Sequence, residues 1–138
     1  MNDYLFDSGI LILHLRNQPG YLELTDRLAD ETVVYISVIS RFEIVRGMRN
    51  REKVSTFVLL NSLESLAVTN EIADHAGEMV RSWKVRGRML DDADALIAST
   101  AIIHELSLVT TNPKHFSMPD LTVLQADAGG KLTPYEAL

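Results

Sequence analysis

Residues 33–48 read VVYISVISRFEIVRGM, and this stretch decides the fold. Val33, Val34, Tyr35 and Ile36 are β-branched or aromatic, as the residues of buried strands tend to be. From Ser37 to Met48 the period changes, and Val38, Ile39, Phe42, Ile44 and Val45 recur at helical spacing. A strand that runs straight into a helix is the opening half of a strand–helix–strand unit, and the rest of the chain offers more of them.

Upstream, Tyr4, Leu5 and Phe6 form a short apolar strand that ends at Asp7. Ile10 to Leu15 reads as a helix with Ser8 in place to cap it, Pro19-Gly20 interrupts, and Leu22 to Leu28 reads as a second helix. Downstream, Arg51 to Leu63 is helical, with Val54, Phe57, Val58 and Leu60 expected to face inward. Leu66 to Val68 is a brief strand, Thr69 or Asn70 caps a helix running to Arg86, and Gly87 closes it. LDDADALIAST (90–100) opens the next helix, which ends near Glu105; Ser107 to Thr111 is a strand, Asn112-Pro113 a turn, and Leu121 to Leu124 a last strand. The tail after Ala126, punctuated by Gly and Pro, is expected to be loosely held. Strands alternating with helices imply one three-layer α/β/α domain over residues 1–138 with a central parallel sheet.

Composition narrows the chemistry. The chain has 138 residues, 46% of them hydrophobic, enough for one domain with a real core. With no cysteine there can be no disulfide, thiolate zinc site or thiol nucleophile, which suits a reducing cytoplasm. The acidic start MNDYLFDSG lacks the basic flank of a signal peptide, and Asp7, His14 and Arg16 interrupt the longest apolar run, so no membrane span is expected. A net charge of −6 argues against a general nucleic-acid coat protein. Basic residues nevertheless cluster at Arg41, Arg46, Arg49, Arg51 and Lys53, and again at Arg81, Lys84, Arg86 and Arg88; solvated helix faces account for most such clusters.

The acids are distributed more pointedly. In LDDADALIAST, Asp91 or Asp92 serves as N-cap, whereas Asp94 shares a helix face with Ile97, Ala98 and Ala101 and so points inward. Sites in open parallel sheets form beyond the carboxyl ends of the strands. Asp7 ends the first strand, Glu43 lies in the first turns after the second, and the SLVTT strand presents Thr111 and Asn112. Each has an ordinary alternative: Asp7 as a cap, Glu43 as partner of Ser40 in a Ser-x-x-Glu capping box, Asn112 as a turn residue. The four histidines, His14, His75, His104 and His115, have no metal-ligand spacing and read as surface or core residues. Clustered carboxylates without cysteine or paired histidine suit Mg²⁺ or Mn²⁺ rather than zinc. Hydrolysis of a phosphodiester is the reaction class that uses such a set without further protein groups.

Four segments, YLFDSGILILHL, ISVISRFEIVRGM, LDDADALIAST and LVTTNPKHF, resemble the signature segments of PIN-domain ribonucleases, most of all the VapC toxins of toxin–antitoxin pairs. The resemblance runs from the N-terminus to about Leu124. By that likeness Asp7, Glu43 and Asp94 match the three metal-binding, catalytic acids and Ser8 the small hydroxyl residue after the first. Asn112 and Asp91 are accessory candidates, and Arg46, Arg49, Lys84 and Arg88 candidates for RNA contact. The family's fourth polar position, often acidic, falls in TTNPKHF, which carries Asn112 and His115 and no carboxylate, leaving one or two metals open. Gly9 stands where Asn or Ser is more usual. The resemblance implies Mg²⁺-dependent endonucleolytic cleavage of RNA and a homodimer. It also implies a VapB-like antitoxin whose basic side chain enters the acidic site, in a heterotetramer or larger assembly. Two other readings stay open: a non-catalytic PIN-like interaction domain, and a phosphoryl-accepting domain using Asp7 with Lys114 as counter-ion, which lacks the second acid it would need.

Overall fold

The computed structural model describes residues 3–136 and builds one six-stranded sheet in the order β3-β2-β1-β4-β5-β6. The strands are β1 (Tyr4–Phe6), β2 (Val34–Ser37), β3 (Glu64–Leu66), β4 (Ser107–Thr110), β5 (Val123–Ala126) and β6 (Leu132–Tyr135). The helices are α1 (Ser8–Leu15), α2 (Pro19–Glu31), α3 (Val38–Gly47), α4 (Lys53–Asn61), α5 (Asn70–Val85) and α6 (Asp92–Ile103). β1 to β5 are mutually parallel, as the alternation of strands and helices required, with β1 between β2 and β4.

Alternation along the central strands divides the core in two. Leu5 and Leu108 pack on one face with Trp83, Ile97, Ala98 and Ala101 from α5 and α6. Phe6 and Val109 pack on the other with Ile10, Leu11, Leu24, Ile36 and Leu60 from the first half of the chain. Both faces of the central strands are covered, so the middle of β1, β2 and β4 is apolar on successive residues rather than alternating. Residues 95 and 97–101 of α6 are all buried, which agrees with a helix apolar in nearly every direction.

Several local expectations are corrected. Helix α1 begins at Ser8, and its cap is Asp7, whose carboxylate accepts the Ser8 N–H; Ser8 is therefore released from capping. Pro19 does not separate α2 from its start but occupies its first turn, where its missing N–H costs nothing. The capping box at Ser40 and Glu43 does not form: Ser37 caps α3 by accepting from the Ile39 N–H, which puts Ser40 and Glu43 inside the helix. On α4, Thr56, Leu59 and Leu60 face inward, whereas Val54 and Val58 are 78% and 67% exposed. The segment KVSTFVLLN is apolar on more than one side, so periodicity could not select its buried face; packing against α3 did.

The tail is also corrected. Beyond Ala126 the chain turns through Asp127, whose carboxylate accepts the backbone N–H groups of Gly129 and Lys131. It then returns as β6, antiparallel to β5, with Leu132 opposite Ala126 and Tyr135 opposite Val123. Residues 137 and 138, the end of that tail, and residues 1 and 2 lie outside the described residues. The hairpin is seated on α2. Arg27 Nη2 donates to the Gly130 carbonyl at 2.9 Å, and the backbones of Gly20 and Gly130 touch. A Cβ at Gly20 would fall 2.0 Å from the Ala128 oxygen, so either the hairpin or the start of α2 must move to admit one. Gly20→Ala is expected to destabilise the fold by about 2–3 kcal/mol, seen as a lower urea midpoint at unchanged slope.

Candidate active site

The acids singled out from the sequence meet where β1, α3, α6 and the end of β4 come together. Asp7 leaves β1 with its own N–H on the Val109 carbonyl (2.9 Å), which ties the strand end to β4. One carboxylate oxygen, Oδ1, accepts the Ser8 N–H at 2.8 Å, and the other, Oδ2, accepts the Thr110 hydroxyl at 2.9 Å. Thr110 in turn accepts the Asn112 N–H at 3.0 Å, so its proton is directed to Asp7. Glu43, freed from any capping box, receives the Ser8 hydroxyl on Oε1 at 3.3 Å. Ser8 therefore links the first acid to the second.

On the far side, Asp91 is the N-cap of α6 and accepts the Asp94 N–H at 3.2 Å. Of the two capping candidates Asp91 takes the role, while Asp92 stays exposed in the first turn. The Asp94 side chain is only 22% exposed, and the His115 ring Nδ1 lies 3.6 Å from its Oδ2. His115 is thus a neighbour of the acids rather than an ordinary surface histidine.

Electrostatics binds these groups into one site. Burial raises the Asp7 carboxyl above its usual range, against the hydrogen bonds from Thr110 and Ser8. Glu43 is raised by burial and then by the charge of Asp7. Asp94 is pushed up to about 6 by burial and by Asp91, with His115 opposing. All three carry more negative charge than their surroundings offset. Among the described residues, none of them forms an ion pair with a lysine or arginine, and His115 stands nearest to Asp94 as a potential cation. No three Asp, Glu or His side chains among the described residues stand close enough to hold one ion in common, so the cluster is open rather than a closed cage.

The remaining candidates separate. Asn112 is exposed and contributes its backbone N–H to Thr110. Of the basic residues, Arg46 packs over the Phe42 ring at 5.2 Å, and its charge lowers the Glu43 carboxyl. Arg88 shares a recess with Asp91 and Asp94. Arg49 sits in the turn before α4 with its N–H on Glu52, and Lys84 is in the exposed last turn of α5; neither makes an ion pair with the site acids among the described residues. A Cβ at Gly9 would lie 3.1 Å from Thr111 Oγ1, a tight contact that the Thr111 side chain would have to relieve. Thr110 is the participant the sequence reading missed. A fully buried threonine at the end of an apolar strand had to find a partner, and that was the available signal.

Residues 4–120 match the PIN domain family. The chain belongs to the PIN domain family. Within it, a Mycobacterium tuberculosis protein named Ribonuclease VapC19 is 35% identical over 119 residues, covering 85% of this PIN domain chain and 95% of its own length. Ribonuclease VapC10 of the same organism is 35% identical over 114 residues, covering 83% of this chain and 86% of the relative. Among solved structures, Rickettsia felis VapBC2 bound to a DNA fragment from its promoter superposes with a TM-score of 0.81 at 25% identity, over 91% of this PIN domain chain and 99% of that one. A toxin–antitoxin complex from Klebsiella pneumoniae does so with a TM-score of 0.70 at 26% identity, over 97% and 99%. No helix among the described residues of this PIN domain is long and apolar enough to cross a membrane.

Proposed function

We propose that this chain is an endoribonuclease that hydrolyses RNA phosphodiester bonds with a divalent cation, Mg²⁺ or Mn²⁺, and that it is the toxin of a type II toxin–antitoxin pair. One observation carries the reading. Three carboxylates from three separate elements converge with their charge unrelieved, all three shifted toward the protonated form. Capping does not account for it: Asp7 caps α1, but Asp91 already caps α6 and Ser37 already caps α3, which leaves Glu43 and Asp94 without a capping role. A cation would relieve it.

The donor set fits a hard ion. Asp7, Glu43 and Asp94 offer only carboxylate oxygens, and Mg²⁺ takes one or two carboxylates directly while keeping several waters. An open cluster that needs water between some of its acids and the ion suits that habit better than it would suit a dehydrated cation. When bound, such an ion activates a water and offsets the charge that builds at phosphorus. The chain's own residues fix the geometry. Thr110 and the Ser8 N–H lock the Asp7 carboxylate while leaving lone pairs on both oxygens, and the Ser8 hydroxyl holds Glu43 beside it. His115 borders Asp94, and TTNPKHF, where the likeness puts the family's often acidic fourth position, has no carboxylate, so Asp7, Glu43 and Asp94 carry the ligand role alone.

The named relatives are ribonucleases, and two of the solved neighbours are toxin–antitoxin complexes, one seated on promoter DNA. By that kinship the partner of this chain is a VapB-like antitoxin. A basic side chain of the antitoxin entering the carboxylate cluster would relieve the same charge that the ion relieves, which makes inhibition and metal occupancy competitive. Purified chain freed of antitoxin is expected to cleave cellular RNA in millimolar Mg²⁺ and to stop on addition of EDTA. If no RNA is cut and Mg²⁺ leaves the melting temperature unmoved, the domain is a binding scaffold instead.

A further inference from the structure

Helix α5 ends in the sequence Trp83-Lys84-Val85-Arg86-Gly87-Arg88. Gly87 adopts φ +74°, a left-handed conformation that closes the helix, and the Arg88 N–H returns to the Trp83 carbonyl at 2.8 Å. This reversal lays the Arg88 guanidinium over the Trp83 indole, 4.3 Å from its centroid, and Nη2 reaches the Ser117 hydroxyl at 3.3 Å. Stacking on a buried ring holds the guanidinium in place without neutralising it. Among the described residues, no carboxylate pairs with it.

Arg88, Lys114 and His115 line a recess of about 500 Å³ together with Asp91 and Asp94. The recess thus shares Asp94 with the acid cluster. Arg88 and Lys114 form no ion pair among the described residues, whereas Arg81 of α5 is bound to Glu78 at 2.8 Å. Met89, 96% exposed at its rim, presents an apolar surface beside them.

We propose that this recess is a substrate subsite in which Arg88 and Lys114 hold the backbone phosphates of single-stranded RNA next to the bond to be cut. The inference rests on the nuclease reading for its substrate, but it assigns something that reading does not: the side on which the strand leaves the acids, and the residues that grip it. A planar guanidinium fixed by an indole and a hydroxyl matches a phosphate in a bidentate manner. Lys114 adds a mobile point charge across the opening. A flexible single strand can follow the bend from the recess to the carboxylates, and its affinity should come from phosphate contact rather than base reading.

The test measures anisotropy of a short fluorescein-labelled single-stranded RNA in EDTA, so that binding does not depend on cleavage. Arg88→Ala and Lys114→Ala are each expected to bind roughly five- to tenfold more weakly than wild type at low salt. Each should also reduce the slope of log affinity against log salt by about 0.7, the value for one lost phosphate contact on a single strand. Arg88→Lys, which keeps the charge but not the fork, should fall between, and Lys131→Ala on the distant hairpin should match wild type. In Mg²⁺ the same two alanine variants should raise KM with kcat nearly unchanged. Lys114 makes no hydrogen bond or ion pair among the described residues, so its result stands even if loss of Arg88 loosens the loop. Wild type that fails to bind the RNA, or either alanine variant with unaltered affinity and slope, overturns the subsite. Wild type that binds RNA with this dependence yet cleaves none overturns the nuclease reading and leaves the subsite intact.

Discussion

Asp94→Asn is expected to reduce Mg²⁺-dependent RNA cleavage by at least about 10²–10³-fold, the scale on which loss of one charge-stabilising group is felt in an enclosed site. The substitution is nearly isosteric, and the Asp94 backbone N–H that satisfies the Asp91 cap is untouched, so α6 should form as before. What disappears is the one proposed ligand on the α6 side of the cluster, opposite Asp7 and Glu43. Asp7→Asn should be comparably damaging. An asparagine can still cap α1, but it exchanges an oxygen for an amide against the Ser8 N–H or the Thr110 hydroxyl, both of which now donate to Asp7. Of the two, Asp94→Asn isolates the loss of a ligand more cleanly, because its carboxylate takes no hydrogen bond that fixes it structurally and serves the site alone, whereas Asp7→Asn also disturbs the hydrogen bonds from Ser8 and Thr110. Cleavage at the wild-type rate by both variants would sink the assignment of the acids.

The same substitution should stabilise the metal-free protein. The Asp94 carboxyl sits at about 6 in the folded chain against an ordinary value of 3.8. Between these values the folded state binds more protons than the unfolded state, so stability falls as pH rises from about 4 to 6 and stays low above that. Two pKa units correspond to about 3 kcal/mol. Residual exposure of the side chain and solvent screening reduce that to about 1–2 kcal/mol. Asp94→Asn removes this cost. At pH 7.5 in EDTA its melting temperature should exceed wild type by several degrees, roughly 4–8 °C, with the gap closing as pH approaches 4.5. Millimolar Mg²⁺ should raise the wild-type melting temperature at pH 7.5, less so at pH 5, and leave the variant nearly unmoved. A variant that is less stable than wild type at pH 7.5 without metal would show that Asp94 is a structural anchor. Activity and stability moving in opposite directions is what a site that stores unrelieved charge for an ion should give.

Much of this site was legible because its parts are local. Asp7 was readable as the residue closing an apolar strand, and the division between a capping Asp91 and an inward Asp94 follows from helix geometry within four residues. The order of strands and helices, and hence the parallel sheet, needed only the switch from strand to helical period seen at residues 33–48. Local signals failed where two readings were equally good nearby. Ser37 and Ser40 could each cap α3, and Ser8 and Asp7 could each cap α1; the choice fell to whichever left the strand end paired, Asp7 through its N–H on Val109.

The sequence by itself determined the element order, the apolar central strands, and the places of Asp7 and Glu43 after the first two strands, because each depends on residues a turn or a strand apart; Asp94 joined them as an inward-facing acid through the likeness of its segment to the PIN-domain pattern. Only the tertiary structure decided that Thr110 orients Asp7, that His115 borders Asp94, that Arg88 is held over Trp83 facing the acids, and that the tail returns as β6 against β5. Those contacts join segments tens of residues apart. Their geometry is set by how the crossovers pack on the sheet, and nothing in the local pattern around a threonine, a histidine or a glycine-rich tail records which distant group it will meet.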